Sequence, residues 1–144
     1  MPNIHHTLTL STGPGIALDI TPRIRTLIAD SGIGTGFAIL TSRHTTTAIT
    51  INEHEERLLE DVQRFFTRLV PADDGYRHND IALRDCPPDE PENACSHLIA
   101  MLLGSSEVIP ILDKELDLGR WQSVMLVELD GPRQRTVSVR LFGT

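Results

Sequence analysis

One stretch, Arg43–Leu69, changes from a strand pattern to a helix pattern and constrains the fold more than any other part of the chain. Its first half is rich in threonine and isoleucine, whose branched β-carbons favour an extended backbone. The sequence therefore predicts a strand from Arg43, followed by a helix, with the polar cluster Asn52-Glu53-His54 at the junction. Open backbone N–H groups at a helix start make this junction a candidate anion site. The helix is indicated by apolar residues at three- and four-residue steps, namely Leu58, Val62, Phe65, Phe66 and Leu69.

Two more helices are predicted on either side of this stretch. Thr21-Pro22 favours a helix start, because threonine caps helices and proline suits the first helical position, and Gly32 would end that helix. Another helix is predicted from Pro91 to Gly104. Its core-facing residues are expected to be Leu98, Met101 and Leu102.

Alternating and continuous apolar runs predict the remaining strands. Ile4–Leu10 and Ile16–Ile20 flank a glycine-rich break and are expected to pair as a hairpin. The turn Asp130–Arg133 is expected to join the last two strands. Because strands dominate, the sequence predicts an α+β fold, a mixed β-sandwich-like sheet with two or three packed helices. The other predicted strands are Phe37–Leu40, Val108–Leu112, Ser123–Leu129 and Arg135–Phe142.

The composition limits the classes of partner. A length of 144 residues suits one domain, expected to span residues 1–144. The formal net charge is −7 and Lys114 is the only lysine, which argues against nucleic acid as a partner. No apolar run could span a membrane and the first residues lack a signal-peptide pattern, so we expect a cytoplasmic protein. Cys86 and Cys95 are expected to be free thiols.

Several common catalytic motifs are absent. The glycines of Gly32–Gly36 follow a predicted helix and precede a strand, the reverse of the order in dinucleotide-binding folds. Cys95 and His97 lie about half a helical turn apart and would point in nearly opposite directions, which disfavours a nucleophile–base pair. Trp121 is expected in the core, and Arg133 is expected to be either solvated or a phosphate clamp.

Three histidines are candidates for chemistry. His44 lies at the start of the predicted central strand, His78 in the long connection between helices, and His97 on the helix after it. No recognised zinc spacing links them, so each could be a ligand or an ordinary hydrogen-bonded histidine. On one strand His44 and Asn52 would face the same side, but at roughly 3.3 Å per residue they lie too far apart for one small-molecule site. We therefore expect either a bend or two separate sites.

The order of short motifs along the chain closely resembles the YjbQ-like family, small proteins associated with a secondary thiamine-phosphate synthase activity. The likeness covers nearly the whole chain and keeps the order of every block. The blocks are His44-Thr45-Thr46, Ile51-Asn52-Glu53, Tyr76-Arg77-His78-Asn79, Pro91-Glu92-Asn93, Ser96-His97, Leu103-Gly104-Ser105-Ser106, Leu118-Gly119-Arg120-Trp121-Gln122 and Asp130-Gly131-Pro132-Arg133.

The resemblance implies a sandwich-like α+β fold, a homotrimer and a polar site near the subunit contacts. At position 95 the family commonly has aspartate or histidine, and this chain has Cys95. The metal-site candidates that the resemblance implies are His44, His78 and His97, and the candidate catalytic residues are Asn52, Glu53, Asp80 and Asn93.

The implied reaction joins hydroxymethylpyrimidine diphosphate to a thiazole phosphate and releases pyrophosphate. Such a reaction needs a divalent cation or arginine to stabilise the departing charge. Glu53 and Asp80 could bind magnesium, and Arg77 or Arg133 could contact phosphate. Histidines suit zinc better than magnesium, so the identity of the divalent metal stays open. The alternative function is a metal-binding protein, or a small metal-dependent hydrolase or regulator, acting on a phosphorylated metabolite.

Overall fold

Two antiparallel β-sheets and three helices make up the computed structural model, which describes all residues from Met1 to Thr144. The strands are β1 (Asn3–Ser11), β2 (Ala17–Asp19), β3 (Gly36–Ser42), β4 (Thr47–Asn52), β5 (Ser106–Leu112), β6 (Glu115–Leu116), β7 (Ser123–Glu128) and β8 (Gln134–Gly143). The helices are α1 (Thr21–Ser31), α2 (Glu56–Leu69) and α3 (Ala94–Leu103), and two short 3₁₀ turns lie at Arg77–Asn79 and Ile81–Leu83. The predicted α+β class is confirmed.

The core lies between the sheets and α1. The larger sheet has the strand order β1-β8-β3-β5-β6 and the smaller one the order β2-β7-β4. Side chains alternate along β8, so Val137, Val139 and Leu141 are buried while their neighbours are partly or fully exposed. Ile24 and Ile28 of α1 complete the same apolar cluster. Burial of these branched side chains provides the main stabilisation of the fold.

The predicted hairpin of the first two strands is wrong. β1 does not pair with β2: it pairs with β8, with Leu8 opposite Val137, whereas β2 pairs with β7. The turn at Asp130–Arg133 joins the last two strands, as predicted, and it carries the chain from the smaller sheet to the larger one. Apolar periodicity identifies strands but not their partners, and the partners here lie more than a hundred residues apart in sequence.

The central strand begins four residues later than predicted. β3 ends at Ser42 in the larger sheet and β4 begins at Thr47 in the smaller one, so residues 43–46 form a crossing between the sheets. The crossing is tied to β8, because the Arg43 backbone N–H donates to the Thr136 carbonyl over 3.3 Å. His44 therefore lies in the crossing, outside any strand, and its side chain does not follow the alternation of a strand.

The predicted bounds of α1 are confirmed, since it begins at Thr21 and is followed by Gly32 in the left-handed conformation at φ +74°. The predicted Thr21 cap is wrong: Ile20 is at the N-cap position, and the Thr21 hydroxyl accepts the Val124 backbone N–H over 2.8 Å. The predicted inner face of α3 is wrong: Met101 and Leu102 are 79% and 66% exposed. The opposite face of α3 is buried instead, and its small residues allow the helix to approach β4 closely. The buried residues of α3 are Ala94, Ser96, Ile99 and Ala100.

Trp121 is not in the core as predicted, because its side chain is 64% exposed and stacks beneath the Arg120 guanidinium, 4.8 Å from the ring centre. Cys86 and Cys95 are free, half-buried thiols, as predicted. None of the three helices combines the length and apolar composition needed to cross a membrane.

Candidate functional site

Two of the three candidate histidines are neighbours. The rings of His78 and His97 lie edge to face, with centroids 4.7 Å apart. Asn79 holds the His78 turn against α3, because its side-chain oxygen accepts the Ala94 backbone N–H over 3.1 Å at the helix start. Arg84 fixes the same turn by donating from Nη1 to the His78 carbonyl over 2.8 Å. The irregular connection and the helix are thus locked together where the imidazoles meet.

These imidazoles line a polar cavity of about 320 Å³, which we name the His78 pocket. Its wall contains hydroxyl, amide, imidazole, carboxylate and guanidinium groups, a composition suited to a small polar ligand. Three arginines contribute to it from separate segments: Arg84, Arg133 and Arg135.

The three arginines differ in how their charge is balanced. Arg135 forms a buried ion pair with Glu128, with Nε 2.8 Å from Oε2. Arg133 pairs with Asp130 over 3.1 Å. Arg84 forms no ion pair and donates only to a backbone carbonyl. Arg84 is therefore the cation in this pocket that remains available to an anionic ligand.

The buried ion pair also supports the crossing that carries His44. Burial by itself would raise the pKa of Glu128, but hydrogen bonds from Arg135 and Thr12 outweigh that effect and lower its pKa to about 2. Arg135 donates from Nη2 to the Thr46 hydroxyl over 3.0 Å. The pair is therefore ionised at neutral pH and holds the crossing in place.

His97 is held neutral by its surroundings. Burial is the largest cause that lowers its pKa below 6.5, and the nearby His78 and Arg84 lower the pKa further. Asp130 and a hydrogen bond to the Thr45 backbone act in the opposite direction without cancelling the shift. A neutral imidazole between a second imidazole and a guanidinium can accept a proton when an anion enters.

His44 lines an adjoining cavity of about 510 Å³, the His44 pocket, together with Arg43 and Ser105. Its Nε2 accepts the Thr136 backbone N–H over 2.8 Å, so the neutral ring carries its proton on Nδ1. Burial, followed by the charge of Arg135, lowers the pKa of His44. His97 and Thr45 line both pockets and form the wall between them.

The residues of one chain do not fit the predicted three-histidine metal site. The ring nitrogen of His44 that carries a lone pair is occupied by the Thr136 N–H, which leaves none for a metal ion. No three histidine, cysteine, aspartate or glutamate side chains are grouped closely enough to hold a metal ion. His78 and His97 supply only two imidazole ligands.

The other predicted site residues fall into three places. Asn93 and Arg133 line the His78 pocket, where the Asn93 amide donates to Asp130 Oδ2 over 2.7 Å. Asn52 and Glu53 line a different, mainly apolar cavity of about 270 Å³ beneath α2. Within one chain the structure therefore separates them from the histidines, which corresponds to the second of the two alternatives left open by the sequence.

Arg77 and Asp80 are exposed and line neither of the two histidine pockets. Their roles in phosphate and magnesium binding stay predictions. Sequence reasoning missed Arg84, because nothing in the spacing of the loop distinguishes it from a solvated arginine. It also missed Asp130, which the sequence presents only as a turn residue.

The fold and the site together define a class: an α+β protein of two antiparallel sheets with a polar histidine–arginine pocket at the start of its last helix. A family model described as "UPF0047 protein YjbQ-like" matches residues 6–144. The chain therefore belongs to the YjbQ-like UPF0047 family, as the motif resemblance indicated.

Individual relatives agree with this assignment. A UPF0047 protein of Methanothermobacter thermautotrophicus is 43% identical over 126 residues, covering 88% of this chain and 82% of that protein. The YjbQ protein of Escherichia coli O157:H7 is 33% identical and covers 85% and 84% of the two chains. The crystal structure of a YbjQ-like protein of unknown function from Sulfolobus solfataricus P2 is similar, with a TM-score of 0.88, 33% identity and 99% coverage of both chains.

Proposed function

We propose that this chain is a secondary thiamine-phosphate synthase, which condenses hydroxymethylpyrimidine diphosphate with a thiazole phosphate and releases pyrophosphate. The observation that carries the proposal is the unpaired guanidinium of Arg84 beside two adjoining imidazoles in the polar His78 pocket. A diphosphate leaving group develops charge as its bond breaks, and fixed cationic donors stabilise that charge in a partly enclosed site.

In the proposed step the pyrimidinylmethyl group moves from the diphosphate oxygen to the thiazole nitrogen. A C–N bond forms between the thiazole nitrogen and the methylene carbon of the pyrimidine, while the C–O bond from that carbon to the diphosphate breaks. Pyrophosphate leaves with the electron pair, and the thiazole nitrogen becomes quaternary. No proton has to be removed from the nucleophile, so the pocket needs donors for the leaving group rather than a strong base.

Arg84, His97 and Asn93 have separate roles in this step. Arg84 binds the diphosphate oxygens through charge-assisted hydrogen bonds. His97 takes up a proton as the anion enters and donates it in a hydrogen bond to the departing oxygen. The Asn93 amide is oriented by Asp130 and helps to shape the pocket. No step is assigned to a protein-bound metal, because the donor set of one chain does not fit one.

The test is a condensation assay with purified protein and the two precursors, each run with Mg²⁺, with Zn²⁺ and without added metal. We expect thiamine phosphate from the wild type and a loss of about 100-fold in kcat/KM in Arg84→Gln and His97→Gln, equivalent to removing one charged donor from the transition state. Arg23→Gln, an exposed and unpaired arginine on α1, is the matched control and should keep full activity. Absence of product from the wild type under all three conditions would reject the synthase.

A second candidate is a small hydrolase acting on a phosphorylated metabolite. The lowered pKa of His97 favours it, because a neutral imidazole near pH 7 can accept a proton from an attacking water. This function predicts release of inorganic phosphate from a phosphate ester when no thiazole compound is present. The synthase predicts no turnover under those conditions, so one assay of phosphate release separates the two functions.

A further inference from the structure

The imidazole of His97 stands between two cavities rather than inside one. The His78 pocket lies on one side and the His44 pocket on the other, and only Thr45 and His97 belong to both walls. Their volumes, about 320 and 510 Å³, each lie within the usual range for small-molecule sites. A reaction between two bound molecules needs such an arrangement, because the reacting atoms must meet across a short distance.

Each cavity also has its own cation that forms no ion pair. In the His78 pocket this cation is Arg84. In the His44 pocket it is Arg43, whose side chain is exposed and bonds to no carboxylate. Beside Arg43, the hydrogen bonds of the His44 ring are both at Nε2, to Thr136, and the Nδ1–H donates to no protein group. Both cavities therefore offer charged or polar donors to an anionic group.

The two cavities differ in the rest of their walls. The His78 pocket is lined by polar groups from the loop, from α3 and from the turn before β8. The His44 pocket adds the apolar side chains of Ala100 and Met101. A methionine thioether packs well against an aromatic ring, so this pocket suits a ligand that joins a small aromatic ring to a phosphate.

Building on the proposed function, we propose that the two substrates bind on opposite sides of His97. The diphosphate of the pyrimidine lies in the His78 pocket against Arg84. The thiazole phosphate lies in the His44 pocket, with its phosphate against Arg43 and its ring against Met101. The C–N bond then forms beside His97 as the C–O bond to pyrophosphate breaks, and pyrophosphate leaves through the His78 pocket with the electron pair.

Isothermal titration calorimetry tests this arrangement on the full chain, with inorganic pyrophosphate and the thiazole phosphate as probes. We expect the wild type to bind both probes at the same time. Arg84→Gln should weaken pyrophosphate about 10- to 100-fold and leave the thiazole phosphate unchanged, and Arg43→Gln should do the opposite. Arg84→Lys keeps the charge and should retain part of the pyrophosphate affinity. Arg23→Gln should bind both probes like the wild type.

Competition between the two probes for one site would overturn the proposal, as would an equal loss of both affinities in each variant or an absence of binding. The outcomes also separate this inference from the proposed function. Simultaneous binding with the expected variant pattern but without product would reject the synthase and leave two anion sites. Product formation with competing probes would keep the synthase and reject the division of substrates across His97.

Discussion

His97 is placed so that its protonation responds to an anion. Burial and the neighbouring His78 hold its pKa below the usual 6.5, so the free protein has a neutral ring near pH 7. A diphosphate beside the ring would favour the imidazolium and raise that pKa. The same imidazole can thus be neutral in the empty pocket and a charged donor in the complex. Ligand binding is therefore linked to proton uptake by the His97 ring.

We therefore predict that pyrophosphate binding takes up a proton at His97. The raised pKa in the complex means that the extra affinity is fully present below the pKa of the free protein and is lost as pH rises through the pKa of the complex. Calorimetry in buffers with different ionisation heats measures the uptake. The His97→Gln variant corrects for protonation of the ligand itself, and equal proton uptake by the two proteins would contradict the prediction.

Glu128 leads to a prediction about the stability of the fold. Its pKa of about 2 in the folded state lies below that of an unfolded glutamate, so its contribution is present above about pH 4.5 and is lost as pH falls toward 2. Glu128→Gln leaves the buried Arg135 charge without a partner and should cost about 3–5 kcal/mol at pH 7. Urea unfolding at pH 7 and pH 3 measures both effects.

The control for that experiment is the exposed pair between Arg25 and Glu115, which lie 3.7 Å apart. Glu115→Gln should change the free energy of unfolding by less than about 1 kcal/mol, because solvent screens the pair. A Glu128→Gln protein as stable as the Glu115→Gln protein would show that the Arg135 charge is satisfied in another way.

The site depends on how an irregular loop contacts the start of α3. The residue at the N-cap position, Asn93, makes no capping hydrogen bond to its own helix, and its amide is directed to Asp130 instead. The cap comes from Asn79, next to His78 in the chain. One hydrogen bond thus stabilises the helix and sets the distance between two imidazoles.

We predict that Asn79→Ala loosens this junction. Loss of the cap should cost about 1 kcal/mol of stability and should weaken pyrophosphate binding several-fold, because His78 and Arg84 are no longer held against α3. Thermal unfolding and calorimetry give the two quantities. Asn79→Asp keeps an oxygen acceptor at the same position and should restore the affinity. If the aspartate variant is no better than alanine, the cap does not position the loop.

Local sequence determines where a helix begins and ends in this chain, but not how the elements pack or pair. The sequence predicts where α1 starts and where it ends at Gly32, because the signals of proline and of a left-handed glycine are local. It does not predict the cap correctly, because the Thr21 hydroxyl accepts the Val124 backbone N–H of β7 instead of capping the helix. The sequence does not predict the inner face of α3: Leu98, Met101 and Leu102 are exposed, whereas Ile99 and three small residues are buried. The pairing of β1 with β8 could not be predicted, since no local signal specifies a partner so far along the chain.

The sequence likewise identified some residues of the His78 pocket but not others. The motif resemblance named His78, His97 and Asn93, which do line one pocket. It could not show that Nε2 of His44 is occupied by a backbone N–H, because that contact arises only when residues 43–46 cross over to β8. Arg84 could not be distinguished from other loop arginines until the fold showed which of them lacks a carboxylate partner.

One apolar face of α3 lies exposed on the surface of the chain. Leu98, Met101 and Leu102 are spaced by three and four residues, so they share one side of the helix, and all three are exposed. Adjacent apolar side chains on a surface are typical of an interface between proteins. We propose that this face contributes to the homotrimer that the motif resemblance in the sequence implied. Met101 also lines the His44 pocket, so a neighbouring subunit on this face would lie close to the site.

We therefore predict a solution mass near three times the 16.0 kDa of one chain, measured by light scattering during size-exclusion chromatography. Leu102→Glu places a charge on the apolar face and should shift the mass toward that of one chain, because burying an unpaired carboxylate is costly. Leu83→Glu is the matched control, since Leu83 is 85% exposed on a 3₁₀ turn outside α3, and it should leave the mass unchanged. A wild-type mass of one chain would reject the trimer, whereas an unchanged mass in Leu102→Glu alone would place the subunit contact on another face.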